Sequence, residues 1–474
     1  MVTRDDLNPH LLAAHYAVRG PIVLRAQELE DQGRKVIYCN IGNPQGLKQR
    51  PMTFLRQMLS LLEFPELLRH AESRKLFPRD ILDRAERMLE LHPPGTGAYS
   101  QSPGIPFIRK AVAEFIQRRD DILADKEHVI LTDGASKGVQ GVITALLKRP
   151  GDGFMIPIPQ YPLYSASLAL YGGEQIGYYL DEDRGWELNE RILRDSLTEG
   201  RRQGRNAVAI VVINPGNPTG AVLSEGNIRM IIGFARENGL SIIADEVYQE
   251  NVYDPGLRFH SFARVMASMR EQDVSLFSLH SVSKGFLGEC GHRGGYLEFR
   301  NIPDEVMAEF VKLQSISLCA NLPGQFATYL MVAPPREGDE SYPTYVRERD
   351  EILADLKAKA EILGEGITTI EGMSVAIPRG AMYAFVRFEL PGGEDTTRMS
   401  ISERVAYGEE RDTRYCLALL EETGICVVPG SGFGQVPGTL HFRTTFLPPR
   451  DEIEQLVRSL KKFHERYIRE LAEA

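Results

Sequence analysis

Cysteines are few in this chain and form no pattern. Cys39, Cys290, Cys319, Cys416 and Cys426 are five among 474 residues. Their number is odd and no two stand as Cys-x-x-Cys, which argues against a disulfide framework and a zinc site and fits a reducing compartment. Cys290 reads as a buried or incidental thiol. No apolar run approaches the ~20 residues that a membrane helix needs. The first residues, Met1 to Asp6, are charged and lack a secretory apolar stretch, so the expected location is the cytoplasm. Positive charge is not in excess either. A net charge of −10 and a pI near 5.6 make a generic nucleic-acid surface unexpected. No internal repeat or low-complexity segment stands out, and Gly392 to Arg398 carries no secondary-structure signal.

What is present is ordinary globular material, 43% hydrophobic and 25% charged. The length suits about two to three domains. Pro21 to Glu30 reads as a helix with proline in its first turn. Val36 to Cys39 reads as a short strand that turns at Asn40-Ile-Gly-Asn-Pro44. A helix with Ile108, Val112, Phe115 and Ile116 on one face follows the Tyr99 to Gly104 loop. Strands and helices then alternate. Strands are expected at His128 to Thr132, Phe154 to Ile158, Ala207 to Ile213, Leu240 to Ala244, Val274 to Leu279 and Gly295 to Phe299. Helices are expected at Ser136 to Leu147, Tyr164 to Tyr171 and Ile228 to Glu237. The Ala207 to Ile213 run is apolar without alternation, as in a strand covered on both faces. The alternation implies an α/β fold with a mostly parallel sheet. Past Pro334-Pro335 the pattern becomes α+β. A long helix is expected from about Thr344 to Leu363, and later helices at Arg411 to Glu422 and Asp451 to Leu471. Short strands are expected at Met382 to Phe388, Cys426 to Val428 and His441 to Thr445.

The most informative stretch is Ser281-Val-Ser-Lys-Gly-Phe286, with Arg293 nine residues beyond Lys284. A strand running into Ser-x-Ser-Lys-Gly suits a lysine that holds an aldehyde cofactor, with the hydroxyls and Arg293 on a phosphate. Such a lysine joins the aldehyde of pyridoxal phosphate, is freed when a substrate amine replaces it, and then moves the proton of the substrate Cα. That chemistry also needs a carboxylate at the pyridine nitrogen. Asp245, at the end of the strand in Ala244-Asp-Glu-Val-Tyr248, supplies one. Tyr248, and Asn217 in Asn214-Pro-Gly-Asn-Pro-Thr-Gly220, would hydrogen-bond the ring's phenolic oxygen. Ala135 and Ser136, between a strand and a helix, would offer backbone amides to the phosphate, with Ser281 and Arg293 completing the cage. Tyr161 would stack on the ring. Arg443, in Leu440-His-Phe-Arg443, would grip a substrate α-carboxylate.

These residues together resemble the class I/II, fold type I pyridoxal-phosphate-dependent aminotransferases. The resemblance is stronger to the branch containing alanine aminotransferases. Its other carriers include Tyr16-Ala-Val-Arg-Gly-Pro-Ile22, Arg50-Pro-Met-Thr-Phe-Leu-Arg56, Gly97-Ala-Tyr-Ser100, Pro157-Ile-Pro-Gln-Tyr-Pro-Leu-Tyr164, Gly288-Glu-Cys-Gly291 and Leu420 to Gln435. The resemblance implies pyridoxal 5′-phosphate as cofactor and the roles just given. It also implies a homodimer in which Tyr99 reaches the partner subunit's phosphate, and a substrate pocket lined by Ile41-Gly42. It implies a ping-pong exchange from L-alanine to 2-oxoglutarate, with Arg19 a candidate for the glutamate side-chain carboxylate. Three units are expected. Residues 1–60 form an arm and part of a small domain, 61–333 the large cofactor domain, and 334–474 the C-terminal small domain. Phe286, His292 and Thr444-Thr445 differ from the animal enzymes and leave the amino donor open.

Three rival readings fit parts of the sequence. Gly430-Ser-Gly-Phe-Gly434 looks like a dinucleotide loop, but it precedes a strand instead of opening a helix. Another pyridoxal enzyme of the same scaffold, such as a glutamate–glyoxylate transaminase or a lyase, would share the cofactor residues. A non-enzymatic regulator would need a partner-binding module, and the residues before Val36 are too few and not basic enough to make one.

Overall fold

The computed structural model describes residues 1–16, 20–392, 399 and 401–473. Arg19 and nearly all of the Gly392 to Arg398 segment lie outside the described residues.

The strands in chain order are β1 (Ile37–Tyr38), β2 (Val129–Thr132), β3 (Asp152–Ile158), β4 (Glu174–Tyr179), β5 (Asn206–Ile213), β6 (Ser241–Asp245), β7 (Leu276–Ser281), β8 (Gly295–Arg300), β9 (Met373–Ser374), β10 (Tyr383–Phe388), β11 (Ile425–Cys426), β12 (Val428–Pro429) and β13 (His441–Thr445). Seven of them form one sheet in the order β2-β8-β7-β6-β5-β3-β4. The pairs from β4 through β3, β5 and β6 to β7 are parallel, while β8 runs antiparallel to β7 and β2. The fold is α/β with a mostly parallel sheet, as the alternation implied.

The unalternating β5 is covered on both faces. Ile210 and Val212 point into one apolar layer with Met155, Ile242 and Ala244. Ala209 and Val211 point into the other with Phe154, Ile156 and Ile243. Helices cover both layers, among them Ala135–Leu146 on one side and Glu225–Asn238 on the other. In such a sheet the functional loops gather at the carboxyl ends of the strands. Here those ends are Thr132, Ile158, Ile213, Asp245 and Ser281.

A second, antiparallel sheet has the order β12-β13-β10-β9. The N-terminal segment packs beside it through β1, which pairs in parallel with β11 as a separate two-stranded sheet, Ile37 opposite Ile425. One apolar cluster accordingly unites Ile22, Ala26, Leu29 and Ile37 with Leu356, Leu363, Phe442 and Leu456. The helix Tyr342–Thr368 contributes to two apolar clusters. Its Tyr345 packs edge-on against Phe54 of the Thr53–Glu63 helix and against Phe286, and its Leu356 and Leu363 pack in the C-terminal cluster.

Several elements differ from expectation. The helix expected from Thr344 to Leu363 extends over Tyr342–Thr368. The strand expected at Cys426 to Val428 is two short ones that serve different sheets. The helices Thr53–Glu63, Arg79–Leu91, Glu190–Arg202 and Asp304–Ile316, and strand β4, carried no expectation.

Candidate active site

The strand ends and the loop after β1 enclose a cavity of about 720 Å³. It is lined by Ile41, Gly42, Ala135, Ser136, Tyr161, Asn217, Asp245, Tyr248, Ser281, Lys284, Arg293 and Arg443, so one cavity gathers every described residue assigned from sequence but one. The exception is Tyr99. It is 76% exposed on its loop and does not line the cavity.

Lys284 follows β7 and donates from Nζ to the Gly42 carbonyl at 2.6 Å. That contact needs a glycine. A Cβ at position 42 would fall 1.8 Å from the Tyr383 hydroxyl and 3.0 Å from Lys284 Nζ. Gly42→Ala must therefore displace both side chains, at the ~1–3 kcal/mol typical of overpacking. We expect kcat/KM to fall about tenfold or more by that displacement, measured by steady-state kinetics. An unchanged value would show that the Ile41-Gly42 loop yields freely.

Asp245 ends β6 and is buried. Its Oδ2 accepts from the Tyr164 hydroxyl at 2.9 Å, while Oδ1 is buried with no partner. Burial pushes its pKa up to about 6, against the opposing effects of the Tyr164 hydroxyl, the Val247 amide and the Lys284 charge. A buried carboxylate oxygen without a donor is costly. It is the acceptor that a protonated ring nitrogen requires.

The same cavity holds an anion cradle. The helix Ala135–Leu146 begins at Gly134 with no side-chain cap, so its first amides face the cavity unsatisfied by a cap. Arg293 lies across it, Nη2 donating to Ser136 Oγ at 3.2 Å and to the Asp133 carbonyl at 3.1 Å. Gly134 has φ of +75°, and a Cβ there would meet Arg293 Nη2 at 2.5 Å. Ser281 Oγ and Ser283 Oγ are 3.0 Å apart beside the cradle. The cradle suits a phosphate and the unpartnered carboxylate suits a ring nitrogen, with a lysine amine and tyrosine rings between them. These residues fit pyridoxal phosphate.

Arg443, from β13, is buried, with its guanidinium 4.3 Å from the Tyr383 ring centroid and 4.5 Å from that of Phe433. It donates to Asn217 Oδ1 at 3.2 Å and to the Asn40 carbonyl, and its Nε has no partner. Tyr161 meets the N-terminal segment, its hydroxyl 2.8 Å from that of Tyr16.

Four contributors had no role from sequence. Tyr164 sits in a quoted motif, and a buried strand-end carboxylate calls for some such donor. Tyr16 likewise sat in a quoted motif. Tyr383 lies in an expected strand, but nothing in its local pattern distinguishes a pocket tyrosine from a core one. Cys290, read as incidental, lines the cavity with Sγ 3.1 Å from the Ser283 carbonyl.

The profile of the family described as aminotransferase class I and II matches residues 70–460. The chain is 46% identical to alanine aminotransferase 2, mitochondrial, from Arabidopsis thaliana, over 99% of this chain and 88% of that one. It is 45% identical to glutamate–glyoxylate aminotransferase 1 of the same plant, over 98% and 96%. The solved structure of an alanine aminotransferase from Pyrococcus furiosus superimposes with a TM-score of 0.78 at 27% identity, covering 97% of this chain and all of that one. A fold built around these strand ends and a match over most of its length place this chain in the class I and II aminotransferase family, as a pyridoxal-phosphate-dependent enzyme.

Proposed function

We propose that the enzyme moves the amino group of L-alanine to 2-oxoglutarate, giving pyruvate and L-glutamate, with donor and acceptor using one site in turn. The observation that carries this reading is the placing of Arg443, buried beside Asn217, in the cavity that also holds Lys284. An arginine there suits an α-carboxylate, which every amino donor and 2-oxo acceptor shares. The small donor is supported by the name of the Arabidopsis alanine aminotransferase. A glutamate–glyoxylate exchange is the second reading, supported by the near-equal identity to a relative of that name.

Bound in the cavity, pyridoxal phosphate supplies an aldehyde for the amine and a ring that draws electrons from the substrate Cα. Lys284 holds the aldehyde and, once freed, carries the proton to and from Cα. Asp245 keeps a proton on the ring nitrogen through its unpartnered oxygen. Asn217 and Tyr248 donate to the ring's phenolic oxygen, and Tyr161 covers the ring face. Ala135, Ser136, Ser281 and Arg293 hold the phosphate, Arg443 grips the substrate carboxylate, and Gly42 and Asn217 also bind the substrate. The three units, 1–60, 61–333 and 334–474, are proposed with the large one carrying the cofactor. The proposed assembly is a homodimer, in which the exposed Tyr99 serves the partner subunit's phosphate. The proposed location is the cytosol. Among the described residues no helix is long and apolar enough to cross a membrane.

The test is the absorption spectrum of the purified protein with cofactor. L-Alanine alone is expected to remove the visible band and release stoichiometric pyruvate, and 2-oxoglutarate to restore the band. A band that ignores alanine but responds to glutamate, and recovers with glyoxylate, would favour the second reading. Loss of the amino acid as other products would point to a lyase.

A further inference from the structure

Tyr383 lines the cavity and has no role in the reaction as proposed. It stands on β10, 3% exposed, opposite Thr445 of β13. Its ring lies 4.3 Å from the Arg443 guanidinium. Its hydroxyl accepts from the Tyr248 hydroxyl at 3.4 Å. The same hydroxyl occupies the space beside Gly42 that a Cβ would take, and that space lies 3.0 Å from Lys284 Nζ. One side chain thus touches the arginine assigned to the substrate carboxylate, the glycine that accepts from the reacting lysine, and the tyrosine assigned to the ring oxygen.

We propose that Tyr383 is a positioning residue that couples occupation of Arg443 by a carboxylate to the proton carried at Lys284. The proposal rests on the assignments of Lys284 and Arg443 made above. The ring contact holds the guanidinium, because the negative face of the ring attracts the cation above it. The hydroxyl does the coupling. Burial would raise its pKa, but the charges of Lys284 and Arg443 and the hydrogen bond from Tyr248 more than offset this, and the phenol lies below its ordinary value. Of the other ionisable groups around it, Cys290 acts in the opposite direction, and Tyr161 faces it across the cavity. A substrate carboxylate at Arg443 cancels one of the two cations facing the phenol. The phenol then holds its proton more tightly, which changes the field that its hydroxyl sets beside Gly42 and Lys284. By linkage the effect is reciprocal, so the protonation state near Lys284 alters carboxylate affinity.

The experiment uses the holoenzyme and propionate, which has the carbon skeleton and carboxylate of alanine but no amine. The visible band of the lysine-held cofactor is titrated with pH, with and without propionate, in the wild type, in Tyr383→Phe and in Tyr383→Leu. In the wild type propionate is expected to move the titration midpoint. In Tyr383→Phe, which keeps the ring under Arg443, propionate still binds but about half or more of that movement is lost. Its kcat falls about tenfold, with the donor KM little changed. Tyr383→Leu, which loses the ring as well, weakens propionate binding. A full midpoint movement in Tyr383→Phe overturns the proposal, as does a raised donor KM with unchanged kcat, which would mark a residue that serves binding alone. A wild-type band whose midpoint ignores propionate overturns the coupling while leaving the Lys284 assignment standing. A wild type with no visible band overturns that assignment and the coupling together.

Discussion

Lys284→Ala is expected to abolish turnover and leave the fold in place. Two functions converge on one amine, which holds the cofactor covalently and moves the Cα proton. General acid–base transfer by a placed side chain contributes ~10²–10⁴ in rate, and loss of the covalent step adds to that. A fall in kcat of about 10⁴-fold or more is therefore expected. The structural cost is small. Nζ makes one hydrogen bond, to the Gly42 carbonyl at 2.6 Å, and a typical bond of that kind contributes ~1 kcal/mol. The side chain is only half-buried, so its removal opens no enclosed core cavity. Circular dichroism and the melting temperature should stay near those of the wild type. Borohydride reduction followed by peptide mass spectrometry should attach the cofactor to the Lys284 peptide in the wild type and to no peptide in the variant. Retained turnover, or attachment at another lysine, would remove Lys284 from the centre of the mechanism.

How much of this site could be read in the sequence follows from where its parts lie along the chain. Lys284, Asp245 and Asn217 each sit at the end of an apolar run, and such a run marks a buried strand whose carboxyl end opens on the site. The phosphate cradle was readable for the same reason, since Asp133 to Ser136 connects a strand with a helix. Arg443 was harder. It comes from the other sheet, and its place against Asn217 depends on a contact spanning 226 residues that no local pattern encodes. Tyr383 and Tyr16 escaped because a tyrosine in a strand or an N-terminal segment is usually explained by packing, and only long-range assembly aims their hydroxyls at the cavity. The unanticipated helices have a related cause. Glu190–Arg202 and Arg79–Leu91 are rich in charge and bury few residues each, so their apolar stripes are narrow. The pairing of β1 with β11, which brings Gly42 over Lys284, joins residues nearly the whole chain apart.

Asp245→Asn separates stability from catalysis in opposite directions. In the folded protein the carboxyl has its pKa pushed up to about 6 from an ordinary 3.8, chiefly by burial. The folded chain therefore holds this proton more tightly than the unfolded chain does. Below pH 3.8 both states carry the proton and the site costs nothing by this route. As pH rises toward 6 the unfolded state loses the proton first, and the cost of the buried charge grows until it is complete above that value. At ~1.4 kcal/mol per pH unit, the distance from 3.8 to about 6 comes to ~3 kcal/mol. Asparagine is neutral at every pH and can still accept from Tyr164, which donates to Oδ2 at 2.9 Å in the wild type. Stripped of cofactor, the variant is expected to be more stable than the wild type above pH 6, with the difference vanishing towards pH 4. Catalysis should move the other way. A fixed charge aimed at developing charge in a dry site is worth ~10²–10³ in rate, and kcat should fall by about that factor. The cofactor should also stabilise the wild type more than the variant, because only the carboxylate gains a cationic partner. Denaturant melts at several pH values, with and without cofactor, measure both effects beside the kinetics. A variant that kept its rate would assign the ring proton to another group. A variant no more stable than the wild type at pH 8 would mean that the unpartnered oxygen of Asp245 carries no burial cost, and that its link to the ring nitrogen rests on position alone.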